Sequence, residues 1–140
     1  MIKSHLLVID GDWDTVRALK IMLEKRGYPV STAHNISAAS EITRSTTIDL
    51  IICDICYPQT SGTEFIDLIR KFSDAPAIAM SAMAMPDDHG AVKRAGFLSL
   101  VTKPFTIASL ELAIQDALVT DSARVDLSHS EEANNTTVER

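Results

Sequence analysis

Five short apolar runs, each separated from the next by an amphipathic stretch, limit what this chain can fold into. The runs His5–Asp10, Tyr28–Ala33, Asp49–Cys53, Ala77–Ser81 and Leu98–Thr102 read as strands. Near-continuous apolar character over a short run implies a strand covered on both faces, the situation of a parallel sheet. The stretches between them carry the helical period. Val16, Leu19, Met22 and Leu23 fall on one face and end at Gly27, with Asp12 or Asp14 able to cap the start. Ser37–Ser45 follows as a short helix, with Ser37 or Asn35 near its cap, and Phe65, Ile66, Ile69 and Phe72 mark the next helix face. Pro86 and Gly96 bracket a helix over Asp87–Ala95, and Ile107–Val119 places Leu110, Ala113, Ile114, Ala117 and Leu118 on one side. Strand and helix alternating in this way predict an α/β fold, a parallel sheet with helices on both faces.

At 140 residues, 46% of them hydrophobic, the chain has material for one packed domain. The polar composition of TDSARVDLSHSEEANNTTVER predicts that folding stops near Val119, giving a domain over residues 1–119 and a disordered tail over 120–140. A formal net charge of -6 argues against direct nucleic-acid binding. No apolar run is long enough for a membrane span, and acidic residues follow the first run too soon for a signal peptide. Two cysteines without a secretory cue point to a reduced, cytoplasmic protein.

Four of the runs end on, or are followed at once by, polar residues that together form a chemical set: Asp10, Asp54, Ser81 and Lys103. In an open α/β sheet the carboxyl ends of the strands share one edge, where ligands bind. Two carboxylates meeting there repel unless a cation lies between them, which suits a hard ion such as Mg²⁺. An ammonium at Lys103 would neutralise phosphoryl oxygens, and a hydroxyl at Ser81 would bond to them. Each residue also has a plainer reading. Asp54 can start an Asx turn, Asp12 and Asp14 can cap a helix, Ser81 can bond to backbone, and Lys103 can be solvated. Lys103–Pro104, followed by Phe105, invites a cis peptide.

With these residues in place the chain resembles the receiver domain of two-component response regulators, from Ser4 to about Val119. The resemblance is carried by Asp10, by Asp54 followed by Pro58 and Gly62, by Ser81–Ala82, and by Lys103–Pro104–Phe105. It implies a flavodoxin-like, doubly wound five-stranded sheet in order 2-1-3-4-5. It implies Asp54 as phosphoacceptor, charged by a histidine kinase or phosphotransfer protein, and Mg²⁺ held by Asp10, Asp54 and the backbone carbonyl of Cys56. Ser81 becomes the switch hydroxyl and Lys103 the charge partner of the phosphoryl group. The chain would then be no enzyme on a soluble substrate, but a phosphoacceptor that assists its own phosphorylation and dephosphorylation. It would signal by docking to a downstream protein, with a homodimer compatible.

Two positions depart from the family pattern. Gly11 stands where a second acidic residue usually ligates the metal, and Asp12 is acidic one residue further along, a doubtful substitute. Leu100 stands where a Tyr or Phe usually reports the switch. Cys56 and Met83, two residues past the acceptor and the switch, are expected to tune phosphoryl lifetime, Met83 by hindering the attacking water. These departures keep a second reading open, a pseudo-receiver that acts as an interaction module without phosphorylation. The pair Cys53 and Cys56 also spells C-x-x-C, a redox or zinc motif, but it sits at the end of a strand rather than opening a helix. A flavodoxin-like electron carrier would share the architecture without needing the carboxylates.

Overall fold

The computed structural model describes residues 3–55, 62–82 and 88–120, without the side chains at 62–65, 88 and 89. Cys56, Pro58, Met83, Met85, Pro86 and the expected tail beyond Thr120 lie outside the described residues, as does the Phe65 side chain. The strands are β1 (Leu6–Ile9), β2 (Val30–Ala33), β3 (Leu50–Asp54), β4 (Ala77–Ser81) and β5 (Ser99–Thr102). The helices are α1 (Trp13–Lys25), α2 (Ile36–Ser45), α3 (Gly62–Arg70) and α4 (Asp88–Ala95). A fifth, α5, runs over residues 107–120, one residue into the stretch expected as tail. All strands pair in parallel in the order β2-β1-β3-β4-β5, as the resemblance implied.

Alternation along each strand divides the core in two. Leu6 and Val8 of β1 face α1 and α5, where they pack with Leu19, Leu23, Leu110 and Ile114. Leu7 and Ile9 face the opposite layer and pack with Ala39, Ile66, Ile69 and Val92 of α2, α3 and α4. Both sets are nearly inaccessible to water. Each buried Leu or Ile side chain contributes about 1.5–3 kcal/mol relative to exposure, so the two layers clamp the sheet from both sides.

Glycines set two of the helix ends. Gly27 has φ +97° and Gly96 φ +126°, values that side chains with a Cβ resist. After α1, the Gly27 N–H donates to the Glu24 carbonyl and the Tyr28 N–H to that of Leu23. After α4, Gly96 and Phe97 donate in the same way to Lys93 and Val92. This paired closure satisfies carbonyls that a helix otherwise leaves open. It also explains why β2 starts two residues later than expected: Tyr28 closes α1, and Pro29 has no N–H to give a ladder.

Candidate functional site at the sheet edge

The chain changes direction across the sheet between β1 and β3, because β2 lies on one side of β1 and β3 on the other. Ligand crevices of open α/β sheets form at such a point. Ile9 is in register with Cys53, so the next residues along, Asp10 and Asp54, emerge side by side. At the far side Ser81 is in register with Thr102, and Lys103 follows, its N–H donating to the Ser81 carbonyl at 2.8 Å. Parallel register therefore gathers all four strand-end residues on one edge.

Lys103 ties two of them together. Its ammonium donates to Asp10 Oδ2 at 3.0 Å and lies 3.2 Å from Asp54 Oδ1. The Asp10 carboxylate is buried, with a side chain 3% exposed, and that of Asp54 is 21% exposed. Burial and the neighbouring Asp10 charge push the Asp54 pKa above the usual carboxylate value, with Lys103 working the other way. Burial opposes the Lys103 ammonium, but the bond to Asp10 and the charges of Asp54 and Asp10 outweigh it, and its pKa rises. Two carboxylates and one ammonium leave the cluster with a negative charge when all are ionised. The Lys103–Pro104 peptide is cis. Ser81 is buried at the end of β4.

An open cavity of about 490 Å³ adjoins this cluster, lined by Asp10, Gly11, Asp12, His34, Asn35 and Asp54 among others. Asp12 is the N-cap of α1: its Oδ1 accepts from the Asp14 N–H at 3.1 Å and its Oδ2 from the Thr15 hydroxyl at 2.8 Å. These bonds, that of Thr15 first, hold its carboxyl below the usual range. Asn35 caps α2 in the same manner, accepting from the Ala38 N–H. His34 lines the cavity from the end of β2, lies against the Trp13 ring, and has a buried Nδ1 with no hydrogen-bond partner among the described residues. His34 follows β2 directly, as Asp10 follows β1. Leu100 is buried in the layer facing α4. Cys53 is buried beneath the site, and burial, followed by the charges of Asp54 and Asp10, pushes its thiol far up, away from the thiolate that redox chemistry requires.

The donor set fits a hard divalent cation. Asp10 and Asp54 offer carboxylate oxygens in a crevice of residual negative charge, open to water on the cavity side. Among the described residues no three His, Cys, Asp or Glu side chains converge into a cage. Mg²⁺ is commonly held by one or two carboxylates with waters and phosphate oxygens completing its shell.

A family model for the response regulator receiver domain matches residues 6–115. The chain is 37% identical over 116 residues to a probable transcriptional regulator, ycf27, of Cyanidium caldarium, covering 83% of this chain and 47% of that protein. It thus spans about half the length of that curated relative. A response regulator receiver domain protein from Clostridium thermocellum superposes with a TM-score of 0.75 at 25% identity, over 86% of this chain and 98% of that one. The beryllofluoride-activated NtrC4 receiver domain dimer gives 0.72 at 26% identity, over 83% and 97%. With the fold, the strand-end site and these matches together, the chain belongs to the response regulator receiver domain family.

Proposed function

We propose that Asp54 accepts a phosphoryl group from a histidine kinase or phosphotransfer protein. The observation that carries this reading is the Lys103 ammonium bonded to Asp10 and paired with Asp54 at 3.0 and 3.2 Å. In the transfer an Asp54 carboxylate oxygen attacks phosphorus, the donor's P–N bond breaks, and the donor imidazole nitrogen keeps the electron pair and takes up a proton. Lys103 holds Asp54 anionic before transfer and faces the phosphoryl oxygens afterwards, a preorganised positive charge aimed where negative charge gathers. The Ser81 hydroxyl is the group that turns toward the new phosphoryl oxygen and couples the site to β4. Asp10 and Asp54, with the Cys56 carbonyl, would hold Mg²⁺, which when bound offsets charge on the phosphoryl oxygens.

Output then runs through docking to a downstream protein, and a homodimer is the analogue of the NtrC4 assembly. No helix among the described residues is long and apolar enough to cross a membrane, and the reading places the protein in the cytoplasm. Incubation with acetyl phosphate and Mg²⁺ tests the proposal. The expected result is one labile phosphoryl group per chain, absent in Asp54→Asn. Gly11, which puts no carboxylate into the cavity, is the observation that favours the second reading, a pseudo-receiver. Failure of wild type to respond to either acetyl phosphate or beryllofluoride at millimolar Mg²⁺ would select it.

A further inference from the structure

We propose that Asp12 is committed to helix α1 and not to the cation, so that position 11 is left to water and cation affinity depends on the phosphoryl group. The inference rests on the phosphoacceptor reading above and concerns how this chain fills the metal side of that site.

Three observations carry it. Both carboxylate oxygens of Asp12 are engaged in capping, one by the Asp14 N–H and one by the Thr15 hydroxyl. Turning Asp12 inward would break both bonds and leave the Asp14 N–H of the first helical turn open. Its own N–H donates to Asp10 Oδ1 at 2.9 Å, so the cap and the buried carboxylate brace each other. Gly11 lies between them and lines the cavity with Asp10 and Asp54, yet a Cβ there would meet no atom within 4 Å among the described residues. That volume is polar on its carboxylate side and open, which is where water resides.

A cation at this edge therefore meets two carboxylates already engaged by Lys103. Mg²⁺ gives up its waters reluctantly, so this set adds little to its hydration unless phosphoryl oxygens join. By linkage, whatever the phosphoryl group adds to cation affinity the cation adds to retention of the phosphoryl mimic.

The test is a Mg²⁺ titration with and without beryllofluoride, followed by emission of Trp13, the one tryptophan of the chain. Asp12→Ser keeps a capping oxygen but removes the carboxylate. Its Mg²⁺ affinity should stay within about twofold of wild type. Gly11→Asp, whose Cβ meets nothing within 4 Å among the described residues, should tighten Mg²⁺ binding to the free protein about tenfold and shrink the gain that beryllofluoride brings. A several-fold loss of affinity in Asp12→Ser, with its melting temperature unchanged, would overturn the inference. So would unchanged affinity in Gly11→Asp. If Gly11→Asp fails to fold, the Asp12→Ser titration decides alone. Acetyl phosphate labelling of the same samples separates the two levels. Labelled wild type with weakened Asp12→Ser rejects only the role given to Asp12, whereas unlabelled wild type rejects the phosphoacceptor reading and this inference with it.

Discussion

Replacing Lys103 with methionine keeps the stem and removes the charge, leaving Asp10 and Asp54 facing each other with no ammonium. At the observed 3.0 and 3.2 Å, each pairing has a gross Coulomb energy of about 5 kcal/mol at an effective dielectric constant near 20. Most of that is offset by the cost of bringing the ammonium out of water, and its side chain is 24% exposed, so screening reduces the rest. The net expected loss is about 2–3 kcal/mol at pH 7, below the range for fully buried pairs. In urea this lowers the unfolding midpoint by about 1–2 M. The sign with pH is fixed by the site. Lys103 has its pKa raised above 10.5 in the folded protein, so its contribution is complete below 10.5 and disappears as pH rises through the folded value. On the acid side the deficit of Lys103→Met shrinks as Asp54, whose folded pKa is raised, takes up its proton. Lys103→Met made in an Asp54→Asn background should cost less than in wild type, because one of the two stranded charges is gone. Stability within about 0.5 kcal/mol of wild type at pH 7, or a deficit that does not change toward acid, would refute the reasoning.

Asp54→Asn is expected to raise the urea midpoint at pH 7. The folded pKa of Asp54 is raised above 3.8, so its ionised form opposes folding; the gain should therefore fade as pH drops through the folded value toward 3.8. Gly96→Ala should destabilise by about 1–2 kcal/mol in thermal melts, since it combines φ +126° with a Cβ 3.3 Å from Ile66 Cγ1. A thiol reagent should leave Cys53 unmodified in the native protein and react with it only at the rate of unfolding; rapid native-state labelling of Cys53 would contradict its burial.

The sheet was legible because burial on both faces leaves a strong mark in sequence. Ala77–Ser81 has in sequence the bounds the structure shows, and the runs His5–Asp10 and Asp49–Cys53 differ from β1 and β3 by one residue at each end. Tyr28 reads as strand in the sequence because an apolar residue that closes a helix resembles one that opens a strand, and only the hydrogen bond to Leu23 tells them apart. At the site, the meeting of Asp10, Asp54 and Lys103 followed from strand ends alone. The capping role of Asp12 over Asp14 did not, because both lie within reach of the first turn and the choice depends on the backbone angles at Asp12. The surroundings of His34, whose Nδ1 has no partner among the described residues, are equally hidden in sequence, since nothing local says whether a histidine after a strand meets water or a tryptophan.

The bond between Lys103 and Asp10 spans 93 positions of sequence. Closing so long a segment is entropically costly until the intervening strands are paired, so contacts of this range form late in folding. A chain still emerging from the ribosome, or one clipped before β5, would carry the Asp54 carboxylate without its counter-charge. On the proposed phosphoacceptor role, competence to receive a phosphoryl group would then report that β5 has reached its place. A signal written on Asp54 would be carried only by molecules that have finished folding.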